Sequence, residues 1–205
     1  MPYSDASEFI RNRSETYAVT KQRIQYILSY VLECYRLLKA NGQTYSAKDI
    51  RSQTKIKPED YLRTRFVNDY LRKQLQLLKP FKIEQVFFGK EQIEEYYDES
   101  GIEQEDKIDI YVRDAGLKNY WAVDDEIYFA IECKRIQTLT DTQKYILDIA
   151  KFASRNHTHT RLPFEGQMAF IESASISHPQ VAENVNERLN QATNIETTIP
   201  LGPVK

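Results

Sequence analysis

The spacing of apolar residues predicts helices in the first part of the chain. From about Thr20, apolar residues recur at three- and four-residue steps and form one stripe: Ile24, Ile27, Leu28, Val31, Tyr35 and Leu38. Asn41-Gly42 is typical of a helix end with a left-handed cap. The polar residues 1–17 are expected to be loosely attached, and Ser46 predicts the start of a short helix.

A second helix is predicted to begin at Pro58, because proline followed by two acidic residues is typical of a first helical turn. Its apolar positions are Leu62, Phe66, Tyr70 and Leu75, and Pro80 is expected to end it. Further along, amphipathic patterns predict helices over residues 142–154 and 179–192.

Runs of apolar and β-branched residues predict four strands, over residues 82–88, 107–112, 127–134 and 166–172. Residues 91–106 carry many carboxylates and no lysine or arginine, so they are expected to form a solvated acidic loop. Residues 113–126 are expected to form a long hairpin loop. The order predicts an α/β protein with a mixed sheet flanked by helices, with a helical region at residues 1–57 and a main domain at 58–205.

Composition narrows the class of protein. The chain has 205 residues, of which 41% are hydrophobic, enough for a sizeable core. Lys+Arg is 28 and Asp+Glu is 30, and the net charge of −2 excludes a polybasic nucleic-acid coat. Two cysteines cannot supply a disulfide framework, so a reducing, cytoplasmic location is expected. Neither a signal peptide nor an apolar run of 18 residues occurs, so no membrane association is expected.

Two predicted apolar strands each carry charged residues near one end. Period-two alternation places Asp109 on the face opposite Ile108 and Ile110, and it places Glu132 and Lys134 together on one face of the next strand. If the two strands pair, these three charges share one face near one end of the sheet. Such charges are costly unless they are paired or coordinated. Two carboxylates together with substrate phosphate are typical Mg²⁺ ligands, so one interpretation of the three charges is a metal site. The alternative interpretation is a cluster of salt bridges.

Asp109 on one strand, followed by an apolar strand that ends in Glu132-Cys133-Lys134, resembles the PD-(D/E)xK nuclease superfamily, of the restriction or prokaryotic defence type. The resemblance covers roughly residues 58–173 and implies a restriction-endonuclease-like α-β-β-β-α-β core. Ile108 stands where the name-giving proline would be. A second Glu-x-Lys, Glu105-Asp106-Lys107, lacks a preceding apolar strand.

The resemblance implies a metal-dependent hydrolase of phosphodiester bonds that takes Mg²⁺ or Mn²⁺. Asp109, Glu132 and the main-chain carbonyl of Cys133 would hold the metal, and Lys134 would serve the attacking water. Glu59 is the candidate for a further carboxylate from the preceding helix, with Asp60 and Asp69 as alternatives. DNA is the expected substrate, and RNA is not excluded. A motor or sensor subunit and a second copy of the chain are possible partners, and a catalytically silent subunit that binds nucleic acid or protein is the alternative function.

Other motifs have simpler interpretations. His157 and His159 have the spacing of two metal ligands on a strand but lie in a polar segment, which favours an exposed loop. Cys133 is predicted to be a core residue and not a nucleophile. Residues 43–57 have some likeness to part of a helix-turn-helix. No phosphate-binding GxxxxGK[ST] occurs, so this chain alone is not expected to be an NTPase.

Basic residues form local groups that could contact phosphates or could be ordinary solvated faces. One group lies near the N-terminus and another on the second predicted helix: Arg11, Arg13, Lys21 and Arg23, then Arg63, Arg65, Arg72 and Lys73.

Overall fold

A computed structural model describes residues 6–42, 45, 56–83, 85–121, 127–157, 161–193, 195 and 199–202. Five α-helices lie within these residues: α1 (Ala6–Ala40), α2 (Pro58–Phe66), α3 (Lys118–Trp121), α4 (Thr142–Ser154) and α5 (His178–Gln191). A π-helical turn, Val67–Leu71, and a 3₁₀ helix, Leu75–Phe81, follow α2. The strands are β1 (Val86–Tyr97), β2 (Glu103–Asp114), β3 (Tyr128–Ile136), β4 (Asn156–His157) and β5 (Arg161–Ile171).

The described strands form one sheet in the order β4-β1-β2-β3-β5. β1, β2 and β3 pair antiparallel, whereas β5 lies parallel to β3 and is reached through α4. A parallel neighbour requires such a crossover connection. The prediction of an α/β protein with a mixed sheet between helices is therefore confirmed.

Helices cover both faces of the sheet. On one face, α1 and α2 pack against β2 and β3, with Ile27, Phe66, Ile110 and Ile131 in one buried cluster. On the other face, α4 and α5 pack around Ile136 and form a smaller cluster. Burial of apolar side chains at roughly 25 cal/mol per Å² is the main favourable term that holds such layers together.

The prediction of an acidic loop over residues 91–106 was wrong. These residues form most of the long β1–β2 hairpin, whose ladder runs from Val86↔Asp114 to Tyr97↔Glu103. Ladder hydrogen bonds and cross-strand contacts outweigh the low strand propensity of acidic residues. One of them, Glu94, is buried. Its burial is tolerated because it accepts a hydrogen bond from the Tyr128 hydroxyl and forms an ion pair with Arg161.

Several boundaries also differ from the predictions. Helix α1 begins at Ala6, so residues 6–17, expected to be loosely attached, are helical, and Tyr17 packs against Trp121 and Phe164. The second helix is α-helical only to Phe66, and Pro80 lies inside the following 3₁₀ helix. The segment predicted as a long hairpin loop does connect the antiparallel strands β2 and β3, but β2 continues to Asp114 and residues 115–121 of the connection are helical. β1 begins at Val86 and extends nine residues beyond the predicted end at Phe88.

Some predictions fall outside the described residues: the short helix at Ser46, most of the segment with a helix-turn-helix likeness, and His159. His157 lies in β4, opposite Tyr96. The domain division at residue 57 stays a prediction, although α1 shares one buried cluster with the sheet. Among the helices described, none combines the length and apolarity needed to span a membrane.

Candidate active site

Strands β2 and β3 stop pairing at the position of the predicted site. Their ladder ends at Ile110↔Ile131, so Asp109 and Glu132 are the next residues in register. At this point the Asp109 side chain takes the place of a ladder partner, because its Oδ2 accepts a hydrogen bond from the main-chain N–H of Cys133 at 2.8 Å. The two carboxylates predicted to meet are therefore brought together. Beside the effect of burial, the negative charge of Asp109 raises the pKa of Glu132.

Asp109 also forms an ion pair that the sequence analysis did not include. The Nη1 atom of Arg63, on α2, donates a hydrogen bond to Oδ1 of Asp109. Nη2 of the same guanidinium lies 2.8 Å from both Asp60 Oδ1 and Glu91 Oε1. The Arg63 side chain is 2% exposed, so it is not part of a solvated basic face. A group of three carboxylates thus surrounds one buried cation.

Glu132 is a strongly perturbed carboxyl group. Burial raises its pKa to about 8, and the negative charges of Asp109 and Glu165 act in the same direction, while Lys134 opposes them. Two carboxylates that share a site hold a proton more tightly than either would alone. Because a divalent cation removes this repulsion, the pair is suited to bind one.

Lys134 is held by a residue on the other helical layer. Its Nζ lies 2.7 Å from Oδ2 of Asp148 on α4, and both side chains are about one-fifth exposed, at 24% and 19%. The hydrogen bond and the charge of Asp148 raise the pKa of Lys134 despite its burial. Lys134 is therefore an ammonium group at neutral pH.

The three candidates for the helix carboxylate have different partners. Burial and the charge of Asp109 raise the pKa of Glu59, whereas Lys134 and the main chain of Arg135 lower it. Asp60 pairs with Arg63, and Asp69 accepts a hydrogen bond from the Tyr45 hydroxyl at 3.0 Å. Glu59 thus interacts with two of the predicted site residues, and its chemical role stays a prediction.

The donor set of the site fits a hard divalent cation. Asp109 and Glu132 offer carboxylate oxygens, which Mg²⁺ and Mn²⁺ prefer. In an extended strand the N–H and C=O of one residue leave the same edge, so the Cys133 carbonyl lies on the side of β3 that faces Asp109. The Cys133 thiol is buried, as predicted for a core residue, and burial raises its pKa. Among the described residues, no three His, Cys, Asp or Glu side chains form a group with metal-site geometry.

Sequence analysis missed three polar residues beside the site. Asp148 lies four residues before Phe152 on an amphipathic helix, and nothing in its spacing indicates a partner on β3. On β5, Gln167 is in register with Glu132, and its Nε2 lies 3.3 Å from Oε1 of Glu165. Burial raises the pKa of Glu165 to about 7. The alternation of β5 could have indicated that Glu165 and Gln167 share a face, but not that this face meets Glu132.

Comparisons of the chain with family models, with curated proteins and with solved structures found no match.

Proposed function

We propose that this protein is a metal-dependent nuclease that hydrolyses DNA phosphodiester bonds. The observation that carries the proposal is the meeting of Asp109 and Glu132 where β2 and β3 part, with Lys134 two residues further along β3. The longer elements follow the order α2-β1-β2-β3-α4-β5, with only the four-residue α3 inserted before β3 and the two-residue β4 inserted before β5. This order supports the proposal, because it agrees with the α-β-β-β-α-β order of the restriction-endonuclease-like core. A role in restriction or defence against phage is the expected context.

In this proposal Asp109, Glu132 and the Cys133 carbonyl hold Mg²⁺ or Mn²⁺. When bound, such an ion stabilises charge that develops on the phosphate and makes a nearby water more acidic. The Cys133 N–H and Arg63 fix the orientation of the Asp109 carboxylate. Because substrate phosphate supplies further oxygens, a protein site with two carboxylates is sufficient.

The protonation state of Lys134 limits the roles that this residue can take in the proposed reaction. A lysine paired with Asp148 at 2.7 Å keeps its proton, so it acts as a hydrogen-bond donor and a positive charge. It would orient the attacking water or stabilise the negative charge of the transition state, and it would not remove the proton from that water. Glu59, with its raised pKa, is the nearby candidate for accepting a proton.

A cleavage assay tests this proposal. Supercoiled, linear and single-stranded DNA, with RNA as a further substrate, are incubated with the protein in Mg²⁺ or Mn²⁺. We expect cleavage that is lost in Glu132→Gln and reduced about 10²-fold or more in Lys134→Ala. The controls are Glu105→Gln, from the second Glu-x-Lys, and Lys144→Ala, an exposed lysine paired with Asp141. Cleavage that survives in both site variants would refute the proposal.

One observation favours the alternative of a catalytically silent subunit that binds nucleic acid or protein. Asp109 is already paired with Arg63 and Lys134 with Asp148, so these two charges are compensated without a metal ion. Binding of DNA without cleavage in either metal would support this alternative. Recovery of cleavage on addition of a motor or sensor subunit would instead support the nuclease.

A further inference from the structure

Strand β5 lies at one edge of the described sheet, where β3 is its only strand neighbour. Its ladder with β3 runs without a register shift from Glu165 to Ile171. The other edge of such a strand presents a row of main-chain N–H and C=O groups to any strand that approaches it. Residues 166–171, Gly-Gln-Met-Ala-Phe-Ile, carry no charge and no proline that would prevent this approach. The Tyr145 hydroxyl, 3.5 Å from the Gln167 carbonyl, is too distant to cap the strand.

The opposite edge of the described sheet is protected against pairing with another chain. There the neighbour of β1 is β4, a strand of only two residues. β1 carries the charged residues Lys90, Glu91 and Glu95, and Glu91 has φ of +60°, a left-handed conformation that interrupts the regular strand. Short edge strands, charges and local distortions are the means by which proteins prevent edge-to-edge association. Because β5 has none of them over residues 166–171, its edge is suited to pair with another strand.

An apolar groove of about 1150 Å³ lies beside the β5 edge. Met168 and Phe170 of β5 line one side of this groove, and Leu28 and Leu32 of α1 line another. Leu28 is 37% exposed and Leu32 is 39% exposed. Close-packed protein interiors leave few voids larger than a water molecule, so an open apolar space of this size is typical of a contact surface.

The charges at the groove favour a second copy of the chain over a strongly charged partner. Arg135 and Glu172 both line the groove, and they form an ion pair with each other. Lys39 is the one further lysine, arginine or carboxylate among the described lining residues. A nearly neutral surface does not attract a polyanion such as nucleic acid, and it does not repel an identical surface. Two identical edges of this kind can meet about a two-fold axis, which is the commonest symmetry of protein dimers.

We propose that this protein forms a two-fold symmetric dimer in which the β5 strands of two copies pair antiparallel and continue the sheet. A two-fold axis perpendicular to the sheet relates the two strands, so the same face of both sheets lies on the same side. Leu28 and Leu32 of both copies are then buried at the junction. Main-chain hydrogen bonds align the strands, and burial of the apolar groove supplies most of the favourable free energy. The dimer does not depend on the proposed nuclease function.

Sedimentation equilibrium of the full chain, over a range of protein concentrations, tests the dimer. We expect the wild type to dimerise. Leu32→Glu should raise the dissociation constant at least about tenfold, because it places a carboxylate without a partner in the interface. Ile93→Glu is the matched control, since Ile93 is 66% exposed and lies on β1, away from the β5 edge. In this control the dissociation constant should change by less than about twofold.

Three outcomes of this experiment would overturn the inference. The first is a wild type that stays monomeric up to about 100 μM, which would leave the groove to a different protein or to a small apolar ligand. The second is an equal dissociation constant for the wild type and Leu32→Glu. The third is equal weakening of the dimer by Leu32→Glu and Ile93→Glu.

Amide hydrogen exchange in the wild type locates the interface without any substitution. Peptides that cover residues 166–171 should exchange more slowly at a protein concentration above the dissociation constant than below it, because dimerisation supplies partners for the edge N–H groups. Peptides that cover residues 86–92 of β1 should exchange at the same rate at both concentrations. A dimer without added protection over residues 166–171 would show that the copies meet elsewhere, and it would overturn the inference.

Oligomeric state and cleavage give separate answers. A protein that dimerises through β5 and cleaves no nucleic acid would support this inference and refute the proposed nuclease function. A monomer that cleaves DNA would support the nuclease and refute the dimer.

Discussion

Asp109 accepts a hydrogen bond from the main-chain N–H of Cys133, so a side chain of β2 occupies the place of a ladder partner of β3. This contact joins the two strands beyond their last paired residues, Ile110 and Ile131. It also fixes one oxygen of Asp109 while Arg63 binds the other. The carboxylate is thereby ordered before any ligand arrives, which lowers the cost of binding one.

Asp109→Asn should therefore abolish binding of the metal ion at the proposed site and also lower the stability of the fold. The amide can still accept from the Cys133 N–H, but its NH₂ group then faces Arg63, and two donors are left without an acceptor. We expect a loss of about 1–3 kcal/mol in the free energy of unfolding and loss of Mn²⁺ binding. Urea unfolding and calorimetry measure the two quantities. Asp106→Asn on the same strand, where Asp106 is half-exposed and pairs with Arg155, should change Mn²⁺ binding little.

Asp148→Asn should lower the rate of the proposed reaction, because it removes the charged partner of Lys134. Without the Asp148 charge the pKa of Lys134 falls, since Asp148 is a main cause of its raised value. Loss of such an orienting partner typically costs about 10–100-fold in activity. The alkaline limit of the pH–rate profile should also move to lower pH, which a purely structural change would not cause. A profile that keeps its alkaline limit would contradict the assigned role of Asp148.

The raised pKa of Glu132 has a consequence for stability. An acid with a folded-state pKa of about 8 and an ordinary value of 4.5 binds its proton more tightly in the folded protein. This contribution is fully present below about pH 4.5 and is lost as the pH rises through about 8. Without divalent ions, the wild type should therefore lose stability between about pH 5 and 9, and Glu132→Gln should lose less. Equal losses, measured by urea unfolding across this range, would contradict the burial of Glu132 beside Asp109.

The close approach of Gly89 to Tyr111 in the hairpin predicts a change in stability that does not depend on the proposed reaction. A Cβ added at Gly89 would lie 2.0 Å from the ring of Tyr111, on the paired residue of β2. Gly89→Ala should therefore cost about 1–3 kcal/mol, as overpacking usually does. Gly202 has no atom within 4 Å of such a Cβ, and Gly202→Ala should change stability by less than about 0.5 kcal/mol. Thermal unfolding of the two variants measures the difference.

The hairpin shows why part of the fold could not be predicted. Glu94 and Glu105 favour solvent and loops when each is considered alone, yet both lie in strands of the hairpin. In the folded chain Arg161 and Tyr128, far along the sequence, satisfy Glu94. Strand pairing and these distant partners outweigh the local preference.

The sequence by itself determined the elements with a strong apolar period. Helix α4 covers the predicted residues 142–154, and β3 overlaps the strand predicted to end at Glu132-Cys133-Lys134. It also determined that Asp109 and Glu132 lie in strands, because alternation along a strand is a local property. Only the tertiary structure decided the partners of these groups: Arg63 on Asp109 and Asp148 on Lys134. The physical reason is that an ion pair depends on the distance between atoms of different elements, and no spacing along the chain encodes that distance.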